Sequence, residues 1–165
     1  MQHKEIIADV LRQIRKETIR VLEMAEDNAA VLFAPSGTSN HMIWHAGHAI
    51  WLQDLLCLRL LGHRSEIDDK WEQRYGMDCR PLSETSKWPT KDEMLKLLSD
   101  QQQRMLDVIE ASEPADLNRV ADPSRGPLTV SSRIIHGCHD EAKHSGEMYL
   151  LLKLFRVMSI ERTSD

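Results

Sequence analysis

Three of the chain's eight histidines lie in one short segment, HMIWHAGHAIW, at residues 41–51. His41, His45 and His48 follow one another at spacings of four and three, so in a helix they lie along one face. Imidazoles in such a row can pack in a core, carry protons near neutral pH, or bind a metal. A second polar group elsewhere in the chain is needed to favour one of these.

That second group is the segment HDEAKHSGE at residues 139–147. Asp140 and His144 are four residues apart, which in a helix places both on one face, one turn apart. His139 and His144 are five apart, or about 140° around the helix, so pairing them would require a helix defect. Glu147 lies one turn after His144 and could hydrogen-bond to its imidazole.

Both segments place these polar side chains on an otherwise apolar stripe, which should face a protein core. Buried carboxylates and imidazoles without partners are costly, so they should satisfy one another or bind a metal. A divalent cation held by His48, Asp140 and His144 would satisfy all three. Two imidazoles and a carboxylate suit Zn²⁺, Ni²⁺ or Fe²⁺ and leave coordination positions open.

Alternatives remain at three positions. His139 or Glu141 could take the place of Asp140 as the third ligand. His45 is a candidate catalytic residue, either as a proton carrier or as a base acting on metal-bound water. His41 is expected beside the ligands or at the mouth of a pocket, although both extra histidines could equally line a solvated groove.

Four long segments with helical periodicity position these residues. They cover approximately 4–26, 40–61, 90–111 and 129–157. Thr90 and Glu93 form a capping-box pattern at the start of the third segment, and Thr129 is a plausible cap for the fourth. The sequence therefore predicts an all-α four-helix bundle, a single domain over 1–165, with long connections between helices 2 and 3 and between helices 3 and 4.

The connection from 63 to 89 is unusually long for a compact domain. We expect its charged run EIDDKWEQRYGMD, 66–78, to be a surface loop, although Trp71 and Tyr75 could fold it over the pocket. Near the end of the second helix, an uninterrupted α-helical repeat would return Arg59 to the face that carries His48.

Composition and charge argue against several other classes. The formal net charge is −5, and no cluster of Lys and Arg resembles a nucleic-acid footprint. No stretch approaches 18 apolar residues, and the charged N-terminus lacks the apolar core of a signal peptide, so we expect a cytoplasmic protein that spans no membrane. The cysteines are odd in number and widely spaced, which disfavours a disulfide framework or a Cys-rich zinc site; they are Cys57, Cys79 and Cys138.

The sequence resembles the DinB-like superfamily of small metal-binding four-helix proteins. The resemblance is carried by SNHMIWHAGHAIWLQD at 39–54 and HDEAKHSGEMYLLLKL at 139–154. Members of that family have a histidine in a W-x-x-x-H or G-H setting on helix two, the position of His48 here. On the last helix they have a His, Asp or Glu four residues before a histidine that is followed by x-G-[QE], the positions of Asp140 and His144 here.

The resemblance implies a three-ligand metal site near one end of the bundle, with a pocket over it. Many relatives have histidine at the position of Asp140, whereas the thiol-dependent isomerases that the chain resembles have a carboxylate there. The implied function is a metal-dependent enzyme, with thiol S-transferase-like or hydrolase-like activity on a small molecule and a low-molecular-weight thiol as one candidate substrate. The alternatives are a non-catalytic, stress-related module that binds metal or ligand, and a purely structural bundle that forms a homodimer.

Overall fold

The computed structural model describes residues 3–38, 40–65, 67–77 and 88–163, and most of these residues lie in helices. Within these ranges the β-structure is confined to one isolated bridge, between Val120 and Thr129. The predicted all-α class is confirmed. Among the described helices, none combines the length and apolarity needed to cross a bilayer.

Four helices of 12 or more residues form the body of the molecule, and shorter ones fill the connections. In chain order the helices are α1 (His3–Glu23), α2 (Asn28–Val31), α3 (Met42–Gln53), α4 (Asp69–Tyr75), α5 (Lys91–Ala111), α6 (Pro114–Asn118) and α7 (Val130–Thr163). A 3₁₀ turn at Pro123–Arg125 precedes α7. All four predicted long segments are helical, and the last extends beyond its predicted end near residue 157.

Helix α3 is the innermost element. Helices α4, α5 and α7 pack against it, and α1 packs against α5 and α7. Every residue of α3 is buried. A helix enclosed in this way leaves its polar side chains without access to bulk water, so the histidines must find partners within the protein. The described cysteines, Cys57 and Cys138, are free and buried in the core, and Cys79 lies outside the described residues.

The helix starts confirm two of the predicted caps. Thr90 accepts a hydrogen bond from the backbone N–H of Glu93 at 3.3 Å, and the Glu93 carboxylate accepts one from the backbone N–H of Thr90 at 2.8 Å. The hydroxyl of Thr129 accepts from the backbone N–H of Ser132 at 3.2 Å.

Helix α3 has a cap that the sequence did not predict. Nδ1 of His41 accepts a hydrogen bond from the backbone N–H of Trp44 at 3.1 Å. The ring of His41 is engaged at the helix start, and its position relative to a pocket stays a prediction. Its side chain satisfies one of the backbone donors that every helix leaves unpaired at its first turn.

The second predicted helix, 40–61, changes geometry before it ends. Asp54–Leu58 form a π-helix, and the backbone N–H of Arg59 donates to the carbonyl oxygen of Asp54 at 2.9 Å. This wider turn accommodates one extra residue and rotates the subsequent residues by about 100°. Arg59 therefore does not lie on the face that carries His48, unlike the prediction for an uninterrupted α-helix. Its Nε pairs with the Asp54 carboxylate at 2.6 Å.

The charged run 66–78 is not simply a surface loop, because its described central part forms helix α4. Trp71 and Tyr75 are four residues apart and both point towards α3. The indole N–H of Trp71 donates to the carbonyl oxygen of Gly47 at 2.9 Å, and the Tyr75 ring is fully buried. A Cβ atom on residue 47 would lie 2.3 Å from that ring, so a glycine is what permits the close approach.

Candidate metal centre

His48 is fixed in orientation at the middle of α3. Its Nδ1 lies 2.6 Å from the carbonyl oxygen of Tyr75, an acceptor, so Nδ1 carries the proton and Nε2 presents a lone pair. The indole of Trp44 stacks on the imidazole, with ring centroids 5.0 Å apart and planes 18° apart. A backbone hydrogen bond at Nδ1 is the usual way in which a metal-binding histidine is oriented.

Helix α7 brings Asp140 and His144 to the Nε2 atom of His48. Oδ2 of Asp140 lies 3.4 Å from Nε2 of His48 and 3.3 Å from Nε2 of His144. One ligand atom from each of the three residues lies within 4.8 Å of the other two. The structure thus brings together the three side chains that the sequence predicted as metal ligands.

The three side chains of His48, Asp140 and His144, called the trio below, have the chemistry that fits a divalent transition metal. Oδ2 of Asp140 is buried and has no hydrogen-bond partner, which is a costly state for a carboxylate oxygen. Two imidazole nitrogens and one carboxylate oxygen suit Zn²⁺, Ni²⁺ or Fe²⁺. Ligand atoms that bind zinc at about 2.0–2.1 Å in a tetrahedron are about 3.3–3.4 Å apart. The distances from Oδ2 of Asp140 to the Nε2 atoms of His48 and His144 are close to this value.

The charges in the trio are set by mutual contact. The neighbouring imidazoles of His144 and His48 hold the pKa of Asp140 far below its usual range, so this carboxylate is ionised. Burial lowers the pKa of His144, but the adjacent carboxylates of Asp140 and Glu147 outweigh burial and raise it overall. A metal that binds here must displace any proton on the ring nitrogen that it takes.

His45 connects the trio to the protein surface. Its Nδ1 lies 2.8 Å from Nδ1 of His144 and 3.1 Å from a carboxylate oxygen of Glu147. Glu147 also lies 3.0 Å from Nδ1 of His144, and its side chain is 55% exposed. Burial and the neighbouring histidine charges lower the pKa of His45 to about 3, so its contact with Glu147 involves a neutral imidazole rather than an ion pair.

By distance alone, His45, His144 and Glu147 could also hold a cation. The separations of 2.8–3.1 Å, however, are those of ordinary hydrogen bonds. We therefore describe His45, His144 and Glu147 as a hydrogen-bonded triad. It joins Nδ1 of His144 to solvent, whereas Nε2 of the same ring faces Asp140.

The two alternative third ligands lie elsewhere. His139 is exposed to solvent. Glu141 is buried and forms a bidentate ion pair with Arg15, in which Nε–Oε1 is 2.6 Å and Nη2–Oε2 is 3.0 Å. Thr18 donates a further hydrogen bond to Glu141 at 3.0 Å. Of the three candidates at 139–141, Asp140 is the one whose side chain faces His48 and His144.

Sequence reasoning missed Arg15, which is central to a polar network behind the trio. Its guanidinium also donates to the carbonyl oxygen of Leu98 and to the side chain of Gln101, at 2.9 and 3.1 Å. Gln53 donates to Glu141 at 3.3 Å. The network joins α1, α3, α5 and α7 and holds α7 in place one residue after Asp140.

Comparison with known proteins assigns the family. The family model of the DinB superfamily matches residues 10–148 of this chain. The chain belongs to the DinB superfamily. Members typically bind a metal, and the side-chain groups described above are of the kind that could hold one.

The fold of this DinB-superfamily protein is also found in a solved structure. The crystal structure of a conserved protein from Enterococcus faecalis is similar to it with a TM-score of 0.64 and 18% sequence identity, over 93% of this chain and 97% of that one. At this identity the likeness concerns the fold alone. No curated protein matches the chain.

Proposed function

We propose that this protein is a metal-dependent enzyme in which His48, Asp140 and His144 hold one divalent transition-metal ion. The ion would act as a Lewis acid, lowering the pKa of a thiol or a water and polarising the substrate. The observation that carries the proposal is the buried Oδ2 of Asp140, which has no hydrogen-bond partner yet lies 3.4 and 3.3 Å from the Nε2 atoms of two histidines.

The chain's own groups supply orientation and a route for a proton. The carbonyl oxygen of Tyr75 holds Nδ1 of His48, so the ring cannot turn its other nitrogen away from Asp140. His45 takes the catalytic role of proton carrier. With a pKa of about 3 it is a poor store for a proton, so it passes the proton on to Glu147, which reaches solvent.

Thiol transfer is the reaction that we favour, and hydrolysis is second. In thiol transfer a sulfur–carbon bond forms to an electrophilic substrate, the leaving group departs with its electron pair, and the thiol proton leaves through His45. Thiol transfer is favoured by the likeness to DinB-like thiol S-transferases, which is an argument by analogy. In hydrolysis a water replaces the thiol and the same residues serve.

The first test is metal content, measured by plasma mass spectrometry on untagged protein purified without chelators. We expect about one metal per chain in the wild type and loss of that metal in His48→Ala and in His144→Ala. His139→Ala is the matched control, because this histidine neighbours Asp140 but is exposed, and it should retain the metal. Absence of metal from all four proteins, even after incubation with Zn²⁺ or Ni²⁺, would leave a structural bundle with hydrogen-bonded histidines.

The second test is turnover by the metal-loaded protein. A model electrophile is supplied with and without a thiol, and the products are identified by mass spectrometry. A thioether formed only with thiol and metal supports transfer, whereas a hydrolysed product in both mixtures supports hydrolysis. Bound metal without any product would identify a non-catalytic binding module.

A further inference from the structure

A pocket of about 340 Å³ opens beside the triad of His45, His144 and Glu147. His45 and Glu147 form part of its lining, so whatever occupies the pocket lies next to the metal centre. This volume falls within the range of about 300–1,000 Å³ that is usual for small-molecule sites. The pocket is therefore large enough for a small molecule.

One wall of the pocket is hydrocarbon. It is formed by Leu150, Leu151 and Leu154 of α7. Leu151 is buried, whereas Leu150 and Leu154 remain 54% and 36% exposed. Apolar side chains left exposed in a concave site favour a ligand that removes them from water. This wall suits an alkyl or other apolar arm.

Two polar residues, Thr38 and Asn40, also line the pocket. The side-chain oxygen of Asn40 is buried and has no hydrogen-bond partner. An unpaired buried acceptor is costly, and a ligand N–H or O–H group that meets it after rotation of the Asn40 side chain would relieve that cost.

The charge of the pocket selects against anions. Among the described lining residues, Glu147 is the charged one, and neither lysine nor arginine contributes. In the metal-free protein, a carboxylate or phosphate ligand would meet the like charge of Glu147, which no lysine or arginine of the lining offsets. A neutral or positively charged ligand avoids that repulsion.

We propose that this pocket binds a neutral or cationic small molecule that donates a hydrogen bond to Asn40 and lays an apolar arm on the leucines of α7. The inference rests on the proposed function, because it names the substrate class of the same site. It also narrows the candidate thiols, since a carboxylate placed against Glu147 would meet a like charge.

The test compares three probes with the same alkyl chain: hexylamine, hexanamide and hexanoate. Binding is measured by saturation-transfer NMR titration on the whole chain as purified and again after chelation, so that a metal–ligand bond cannot dominate. In the chelated protein we expect the amine and the amide to bind and hexanoate to bind about tenfold more weakly. Hexanoate binding as tightly as hexylamine would overturn the inference.

A charge-reversal variant makes the test specific to this pocket. Leu154→Lys adds a cation to the apolar wall, so the preference should move towards hexanoate. Val157→Lys is the control, because Val157 lies on the same helix, is 54% exposed and does not line the pocket. Equal shifts in both variants would count against this location. Asn40→Ala should weaken hexanamide binding, and unchanged binding would remove Asn40 from the site.

The outcomes separate the two proposals. A protein without metal that still shows the expected probe preference would refute the metalloenzyme and retain the ligand pocket. A protein with one metal and no probe preference would refute the pocket alone.

Discussion

Asp140 and Glu141 are adjacent in the sequence, but their carboxylates belong to two different centres. The Oδ2 atom of Asp140 lies next to His48 and His144, whereas Glu141 is held by the guanidinium of Arg15. Adjacent residues of a helix point about 100° apart, which is enough to separate a candidate ligand from a structural ion pair. Loss of the Asp140 carboxylate should therefore have different consequences from loss of the Glu141 carboxylate.

Asp140→Asn should weaken metal binding without unfolding the protein. The amide keeps the shape of the side chain but removes the charge that a metal ligand supplies. Losing a hydrogen-bond partner of a ligand typically costs about 10- to 100-fold in metal affinity, and we expect the loss of a ligand itself to exceed that. Competition with a chromogenic chelator measures the affinity, and circular dichroism checks the fold. An affinity equal to that of the wild type would remove Asp140 from the ligand set.

Glu141→Gln should instead destabilise the fold by about 3–5 kcal/mol, because it leaves the buried guanidinium of Arg15 without its counter-charge. Urea unfolding measures the free-energy difference. Arg12→Met provides the control, since the Arg12–Asp9 pair is more than half exposed and should contribute at most about 1 kcal/mol. Similar small losses in both variants would show that the buried pair is not a structural centre.

Gly47→Ala should destabilise the protein by about 1–3 kcal/mol, because the added methyl group lies 2.3 Å from the Tyr75 ring. Moving Tyr75 also disturbs the carbonyl oxygen that orients His48, so metal affinity should fall with stability. Gly146→Ala is the control: nothing lies within 4 Å of its added methyl group, and alanine improves helix propensity by up to about 1 kcal/mol. If both variants proved equally stable, the close contact at Gly47 would be discounted.

Acidification should destabilise the protein partly through His41. Burial lowers the pKa of His41 from 6.5 to about 4, so between these values the unfolded chain binds the proton more readily than the folded one. Its contribution to stability is therefore present above pH 6.5 and is lost as pH falls towards 4, by at most about 3 kcal/mol. Protonation would also remove the lone pair that caps α3.

His41→Asn isolates this effect, because asparagine is a good helix cap and does not titrate. Urea unfolding of chelated protein from about pH 4.5 to 7.5 should give a shallower pH dependence in the variant than in the wild type. His45 and Asp140 titrate in both proteins, so the difference between the two curves reports on His41. Superimposable curves would contradict the prediction.

The features that could be predicted from the sequence are those that repeat within one helix. Helical periodicity predicted the all-α class, and the four-residue spacing of Asp140 and His144 placed them on one face. The ion pair of Arg15 and Glu141 could not be predicted in this way, because the two residues are 126 positions apart and lie on different helices. Periodicity describes which face a residue occupies but not which helix will meet that face.

Two local features escaped prediction for other reasons. His41 caps α3 although histidine is not among the residues usually preferred at that position, so residue preference alone does not identify it as a cap. Helix α4 spans only Asp69–Tyr75 within a highly charged run, and its stability comes from docking Trp71 and Tyr75 on α3 rather than from its own propensity. Both depend on tertiary contacts that a single segment does not reveal.

The π-helical turn at Asp54–Leu58 has a consequence for how this chain evolves and how it is aligned with relatives. Such a turn is what a helix adopts when it acquires one inserted residue without giving up its path. Deleting one residue there would restore an α-helix and turn Arg59 and the rest of the helix onto a new face. Relatives with a regular helix should therefore align with a one-residue gap within 54–58, and an ungapped alignment would mismatch every position up to Gly62.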